Sequence, residues 1–501
     1  DSRSVLSESD REYLEDKGIV MSASVREKAF TQRFYLYLIM TKSAEKLYMS
    51  YAVKNSEGAA LMPSYIIRSM RKMFSHCLKL SYKDTAQQNS YVTIPRATNS
   101  FDNTEIVANV DEDIIDSLTG GRLVGSVTSF ENFAECPLRY YLRYGVDLKE
   151  REEFTFSPVN FGVVLHAVIR EVCDEIKKNG ESYYLISEEK RREMVKRSVA
   201  AITDIYQNSI LKDSSRNSFM IKRMEDLADR TVWAMGEQLK CGDFVPFVFE
   251  HKFNMEVGDG DRKQLMSGTI DRVDICENGT DVYVRIIDYK TGKKDFNIVK
   301  TYYGIDIQLM VYMEAAMKLV AKMRPGKNVI PAGVFYYNIS DPIVSATTES
   351  AEEIEDKIKG ELRLKGMVNS DKDIAEKMDN TGGTSLNIPV SRKADGGFDS
   401  RRSKVMNTEQ FNMLGRFVDV RAVDTADRIA GGDIRRSPYK DGQFSSCDRC
   451  PYGAVCGFSV DLPGCNYRKL KKFDDEVLWN NIKEGVDENG KKMDTGAEER
   501  D

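Results

Sequence analysis

The sequence predicts an α/β fold, on three observations. Residues 161–176 place Val164, Leu165, Val168, Ile169, Val172 and Ile176 at helical spacing, so that one apolar stripe faces a core. Two strand-like runs, 269–275 and 282–288, flank Glu277-Asn278-Gly279-Thr280, and Asn-Gly is the pair that a two-residue hairpin turn requires. A helix opening at Gln308 then leads to a further strand over 329–340.

The remaining elements follow in chain order. Residues 1–95 are rich in helix formers up to Lys79, and 96–125 are polar and acidic with Gly120-Gly121, as a linker would be. The chemistry-bearing region is expected over 126–470. Within it, 183–240 read as charged amphipathic helices and 247–253 as a strand. Residues 346–380 look helical and highly charged, and Thr381-Gly382-Gly383 with Lys393-Ala394-Asp395-Gly396-Gly397 marks the loops of a hairpin, so that 346–430 reads as an insertion. Residues 485–501 have the composition of a disordered tail.

Length and composition frame this reading. At 501 residues the usual prior is about three domains, and 41% hydrophobic residues suffice for a sizeable core. No run approaches the roughly 18 apolar residues of a membrane span, the longest being 34–40, and no signal peptide is visible. A soluble, cytoplasmic protein is expected.

The hairpin carries the chemistry. Asp288-Tyr289-Lys290 ends its second strand, and Asp271 stands 17 residues before Asp288 on the first. If Glu277 faces Thr280, Asp271 lies opposite Ile286 and diagonal to Asp288, about 7–8 Å away at Cα. Ile286, Asp288 and Lys290 share a face because side chains alternate along a strand. Two carboxylates so placed can hold a divalent cation whose oxygen ligands sit at about 2.0–2.1 Å. Such an ion polarises a phosphoryl oxygen and acidifies a bound water, while a lysine offsets charge in the transition state. The arrangement points to phosphodiester hydrolysis.

Asp-Tyr-Lys alone is more often a solvated strand end, so its context decides. The chain has three histidines, His76, His166 and His251, and His166 falls at the edge of the apolar helical stripe. A single histidine there is more often packed or exposed than a ligand. Glu250 stands in the 247–253 strand as another carboxylate, and Gln308 and Tyr312 share one helix face at i, i+4.

Taken in order, His166, Glu250, Gly268-x-x-Asp271, Asp288-x-Lys290 and Gln308-x-x-x-Tyr312 resemble the RecB-type branch of the PD-(D/E)XK nuclease superfamily. The resemblance implies a restriction-endonuclease-like core, a mixed sheet flanked by helices, with the helix at Gln308 lining a DNA path. It implies His166, Asp271 and Asp288 as ligands of Mg2+ or Mn2+, joined by the backbone carbonyl of Tyr289. Lys290 would be the catalytic lysine, with Glu250, Gln308 and Tyr312 completing the catalytic set.

Of nine cysteines, Cys136 precedes this core in a Cys-Pro pair, and Cys447-x-x-Cys450-x5-Cys456 follows some three hundred residues later. Uneven spacing and the absence of a secretory segment favour metal-binding thiols over disulfides. Four thiolates suit zinc or an iron-sulfur cluster equally. One cysteine before the nuclease core and three after it resemble the iron-sulfur staple of the AddB components of AddAB helicase-nucleases. By that likeness Cys136, Cys447, Cys450 and Cys456 bind a 4Fe-4S cluster of structural, non-redox role, with Cys465 as the competing ligand. Such a staple closes a long loop whose closure otherwise carries an entropic cost. Cys77, Cys173, Cys241 and Cys276 read as ordinary cysteines.

The first hundred residues fit the same family. Residues 34–50, with Thr41-Lys42, look like the last motor motif of a superfamily 1 helicase, in which active members carry Thr-Arg. Lysine lacks the planar fork of arginine. No G-x-x-x-x-G-K-[ST] run occurs, so the chain is not expected to hydrolyse ATP by itself. Beginning at Asp1, it is read as the later part of a longer polypeptide whose helicase-like half scans single-stranded DNA. The resemblance implies an exonuclease acting on the 5′-ended strand at double-strand breaks for recombinational repair, with an AddA-type helicase-nuclease chain as partner.

A net charge of −6 requires the cations that meet phosphate to be clustered. Arg435-Arg436 and Arg468-Lys469, flanking the cysteines, are the first candidates for contact with duplex DNA. Arg191-Arg192 with Lys196-Arg197, and Arg401-Arg402 with Lys404, more often mark solvated faces. Two rival readings stand alongside the nuclease of a helicase complex. One is a DNA-binding or scanning module without activity; the other is a stand-alone nuclease of the CRISPR-associated type, against which the 34–50 motif argues.

Overall fold

The computed structural model describes residues 8–18, 25–53, 60–74, 109–111, 113–115, 124–149, 158–205, 215–257, 264–344, 350–460 and 465–487. The chain divides into two compact units, 1–94 and 95–501. The first contains helices α1 (Glu8–Asp16), α2 (Val25–Thr41) and α3 (Tyr65–Met73). On α2, Phe34, Tyr35 and Ile39 are 57%, 59% and 63% exposed, and among the described residues none of the buried hydrophobic side chains lies in this unit.

The second unit is built on a seven-stranded mixed sheet. Its strands are β1 (Val124–Ser126), β2 (Val245–Val257), β3 (Gln264–Asn278), β4 (Asp281–Lys290), β5 (Asn328–Asn338), β6 (Lys365–Asn369) and β7 (Val405–Met406). The order is β1-β3-β4-β5-β6-β7, with β2 paired to β3. The β2/β3, β3/β4 and β5/β6 pairs are antiparallel; β1/β3, β4/β5 and β6/β7 are parallel. The α/β architecture expected from the sequence is thus the one observed.

Strand β3 is long enough to serve two neighbours on one edge. With β2 along its other edge, β1 pairs residues 265–267 and β4 pairs 272–278. Between those two ladders, residues 268–271 of β3 have no strand partner on that side. Asp271 stands in this gap.

Helices cover both faces. On one face lie α5 (Pro158–Lys178), α6 (Glu188–Ile205) and α7 (Ser215–Lys240); on the other lie α4 (Val127–Glu135), α8 (Gln308–Met323), α10 (Thr408–Ala430) and α11 (Asp475–Asp487). A further helix, α9 (Ala351–Glu361), starts with a capping box between Ser350 and Glu353. The apolar stripe predicted for 161–176 is the buried face of α5, with Val164, Leu165, Val168, Ile169, Val172 and Ile176 packed against Tyr283, Ile287 and Tyr289. On the opposite face Val273, Ile275, Val284 and Ile286 meet Leu309, Met313, Phe411 and Phe417.

The hairpin forms, but in a register two residues away from the one expected. Asn278 pairs with Asp281, so the loop is Gly279-Thr280, and Gly279 takes the positive φ of 61° that the turn needs. Arg272 then faces Ile287, and continuing the ladder brings Asp271 level with Asp288 rather than with Ile286. A slip of two preserves the face of every side chain; a slip of one would have turned both carboxylates away.

Residues 350–430 include β6 and β7, which form the far edge of the sheet, and α10, whose Phe411, Leu414, Phe417 and Val418 enter the core. Short bridges Thr384–Ser391 and Arg392–Phe398 shape the loops read as a hairpin. A small sheet of β8 (Tyr439–Asp441), β9 (Phe444–Ser445) and β10 (Arg468–Lys469) frames the C-terminal cysteines. Among the described residues no helix is long and apolar enough to cross a membrane. The tail from 488 lies outside the described residues, as do most of the linker read at 96–125 and Cys77.

Candidate functional site

Three elements converge on the gap in β3. Helix α5 presents His166, whose Nδ1 lies 3.4 Å from Asp271 Oδ1 and 3.7 Å from Glu250 Oε1. One ligand atom from each of these three residues lies within 4.8 Å of the others. Glu250 reaches the group through a local backbone distortion. It has a φ of 48° in the middle of β2, a left-handed conformation that a non-glycine residue holds only when its surroundings enforce it. Its neighbours Phe249 and His251 keep their pairings with Arg272 and Ile270, so the bend redirects Glu250 alone.

Where β4 ends its ladder, Asp271 replaces a strand partner. Its Oδ2 accepts the backbone N–H of Tyr289 at 2.7 Å, tying β3 to the residue between Asp288 and Lys290. Asp288 is 2% exposed, and its Oδ2 lies 2.5 Å from Lys290 Nζ. Tyr289 points to the other face, where its ring meets His166 edge-on at 6.0 Å. The aspartates and Lys290 therefore share one face of the sheet, and His166 reaches round the strand from the other.

The electrostatics mark a site that lacks a positive charge at its centre. Burial pushes the Asp288 carboxyl up to about 6, the charge of Asp271 adds to this, and Lys290 opposes it. Burial would push the His166 imidazole down, but its hydrogen bonds to Asp271 and Glu250 and their charges outweigh burial and lift it to about 10. An imidazole and two or three carboxylates are a donor set suited to a hard divalent cation. A cation there would relieve the repulsion between Asp271 and Asp288, so the residues fit the ion that the motif implies.

Gln308 and Tyr312 face this centre from α8. Gln308 Nε2 donates to Tyr312 Oη at 2.9 Å, and both side chains are buried. Tyr312 packs edge-on against Phe253 at 5.6 Å, over Gly268. A Cβ on Gly268 would lie 2.7 Å from the Phe253 ring and 3.0 Å from that of Tyr312, which explains the glycine three residues before Asp271.

Sequence reasoning missed a second polar group beside the first. Glu131 of α4, Lys294 and Asp306 sit behind Lys290. Lys294 Nζ lies 3.0 Å from Asp306 Oδ1, and Tyr336 Oη donates to the same oxygen at 2.7 Å. Burial lifts the Glu131 carboxyl to about 7 against the pull of Lys294. The one local signal was a carboxylate between Phe130 and Phe133, both 1% exposed, on a helix whose other residues are almost all buried.

Cys136, Cys447, Cys450 and Cys456 line one pocket, walled by Arg436, Tyr452 and Phe458 among others. Cys465 is buried and does not line it. All eight described cysteines are free thiols. Burial and then the neighbouring thiol Cys136 push Cys447 up to about 11, and burial likewise raises Cys136 and Cys456. Thiols crowded in this way suit a metal centre that would share their charge.

The cations proposed for DNA contact have diverse surroundings. Arg435 forks onto Asp433, with Nη2 to Oδ2 at 2.8 Å, and Arg436 donates to the carbonyl of Cys456 at 3.3 Å. Arg468 donates to the carbonyl of Ala134, and burial lowers its guanidinium to about 10. Lys469 is exposed.

A model of the PD-(D/E)XK nuclease superfamily matches residues 125–457, and the chain belongs to that superfamily. This is the family that the ordered motifs pointed to. Its similar relatives each bear the name of the B component of an ATP-dependent helicase/deoxyribonuclease. The one from Clostridium acetobutylicum is 30% identical over 97% of this chain and 47% of its own length. That of Lachnoclostridium phytofermentans is 30% identical over 99% and 47%, and that of Thermoanaerobacter sp. (strain X514) is 29% identical over 98% and 47%. The chain thus spans about half the length of the curated relatives it matches.

Proposed function

We propose that this protein is the metal-dependent DNA-cleaving component of a helicase-nuclease complex. The observation that carries the reading is the convergence of His166, Glu250 and Asp271 within 4.8 Å beside a buried Asp288 that touches Lys290. His166, Asp271 and Asp288, with the Tyr289 carbonyl, would hold Mg2+ or Mn2+, and Glu250 stands close enough to His166 to join them. The ion, when bound, supplies Lewis-acid activation of the phosphodiester and a more acidic water.

The chain's own residues do the rest. Asp271 keeps β4 in place through the Tyr289 N–H, so that Asp288 and Lys290 are held at a fixed offset. Lys290, once a cation takes up Asp288, is free to turn its ammonium to the charge that develops on phosphate. Gln308 and Tyr312 bound the cavity on the α8 side and orient the strand to be cut.

We further read Cys136, Cys447, Cys450 and Cys456 as ligands of a structural 4Fe-4S cluster. The thiols are spread around a common pocket and are not drawn within 4.8 Å as the His166 group is. A single zinc would require sulfurs about 3.8 Å apart, given Zn–S bonds of about 2.3 Å. The 5′-ended strand as substrate, exonucleolytic action, an AddA-type partner and a cytoplasmic location follow from likeness to the AddB components. Lys469, and Arg435, Arg436 and Arg468 if duplex DNA can compete for their present partners, form the DNA-facing side near the cluster.

Digestion of end-labelled DNA in Mg2+ or Mn2+ by the unmutated protein and by Asp288→Ala tests this. The expected result is cleavage by the first alone, with DNA binding kept by both. Binding without cleavage by the unmutated protein would favour a scanning module instead.

A further inference from the structure

The helix that delivers Cys136 also carries Glu131. Glu131 Oε1 accepts the backbone N–H of Ile307 at 2.9 Å and of Gln308 at 3.0 Å, at the start of α8. The first turn of a helix leaves N–H groups without partners, and a side chain next to it in sequence usually supplies the acceptor. Here the N-cap is Ile307, which makes no side-chain cap bond. The acceptor comes instead from 176 residues earlier.

Both ends of this link are firm. Helix α4 starts with Ser126 Oγ accepting the N–H of Ser129 at 3.1 Å, buries Phe130 and Phe133, and gives the Ala134 carbonyl to Arg468. Its C-cap is Cys136, five residues beyond Glu131, which is about 7.5 Å along a helix axis. The next turn is tied to the C-terminal segment, since Leu138 N–H donates to the Arg435 carbonyl at 3.3 Å. At the other end, Gln308 takes the Glu131 carboxylate on its backbone and holds Tyr312 with its side chain.

We propose that Glu131 is a positioning residue through which the four-cysteine pocket sets the placement of Gln308 and Tyr312 at the nuclease centre. This rests on the nuclease reading of that centre and on Cys136 as a ligand of the pocket. Filling the pocket anchors the C-terminus of α4, α4 holds Glu131, and Glu131 holds the first turn of α8. Emptying it lets the first turn of α8 fray, with Gln308 as the residue most displaced.

Hydrogen exchange at the backbone amides of Ile307 and Gln308, measured on the whole protein together with iron content and single-strand cleavage in Mn2+, tests the link. In Glu131→Ala those two amides should exchange at least about tenfold faster while those of β4 keep their protection. Its kcat should fall on the order of 30–100-fold with KM changed less than about threefold, as misplacement of an orienting group predicts. Glu131→Gln keeps a carbonyl acceptor of the same reach and should restore both readouts. Unmutated protein stripped of its metal centre by oxidation and chelation should show the same amide exposure, reversed on reconstitution with iron and sulfide.

Indifference of the two amides to the content of the pocket would overturn the coupling. A Glu131→Gln variant as damaged as Glu131→Ala would overturn positioning in favour of a charge or proton role, and an Ala variant with unchanged kcat would overturn it outright. Failure of the nuclease reading shows itself separately, as absence of cleavage by the reconstituted unmutated protein, and would remove this proposal with it.

Discussion

Asp271 carries three tasks at once: it contacts His166, repels Asp288, and accepts the Tyr289 N–H that holds β4 in place. Replacement by Asn keeps a hydrogen-bond acceptor but loses the charge. Asp271→Asn is therefore expected to fold normally and to lose Mn2+ binding in titration calorimetry. Lys290→Ala should separate the tasks differently. Metal binding should persist while cleavage falls about 10²–10³-fold, the usual cost of removing a group that meets transition-state charge. A residue far from the centre gives the pH dependence. Burial and then the neighbouring Glu314 lift the Asp419 carboxyl to about 8. The folded state then binds a proton that the unfolded state releases near its ordinary value. The stability from this pair is complete below about pH 4 and is lost as pH rises towards 8. Thermal unfolding between pH 5 and 8 should show a falling midpoint, with a shallower slope for Asp419→Asn.

The β3–β4 hairpin is the element on which the site depends, and its hidden face is ionic. Arg272 Nε donates to Asp274 Oδ1 at 2.6 Å and Arg285 Nε to Asp274 Oδ2 at 2.8 Å, all three side chains being at most 1% exposed. Arg285 also lies over the Phe244 ring at 4.8 Å. The trio locks β3 to β4 directly beneath the catalytic face. Asp274→Ala would leave two guanidinium groups buried without a counter-charge, and urea unfolding should show a loss of about 3–5 kcal/mol. Gly268 sets the opposite face: Gly268→Ala must displace Phe253 or Tyr312, so cleavage should fall more than stability does.

At the scale of the whole molecule, the metal-binding pocket joins segments some three hundred residues apart, and its content should govern the C-terminal region more than the sheet. Removing the centre by chelation restores the freedom of that loop. Limited proteolysis of stripped protein is expected to open first near 436–460, while peptides of β3 and β4 stay protected. Metal analysis should give iron near four per chain for a 4Fe-4S centre. Zinc in its place would overturn the cluster and leave the hydrolytic site standing.

Much of this was legible in the residues because it is local. A period of 3.6 over 161–176 marks a buried helix whichever fold surrounds it, and the Asn-Gly pair marks a hairpin. Alternation along β4 puts Asp288 and Lys290 on one face in any register that keeps parity. The order of His166, Asp271, Asp288, Lys290, Gln308 and Tyr312 sufficed for the family. What the residues left undecided is non-local. Turn chemistry allowed two hairpin registers, and only the packed sheet chose Gly279-Thr280 as the loop. The gap at 268–271 exists because β1 and β4 share one edge of β3, a matter of which strands meet. The left-handed bend at Glu250 is enforced by that sheet, and Glu131 reaches α8 only once two distant helices are in place. The sequence by itself thus determined which side chains could do the chemistry. Tertiary structure decided their distances and supporting carboxylates, because both depend on contacts between segments that no local pattern relates.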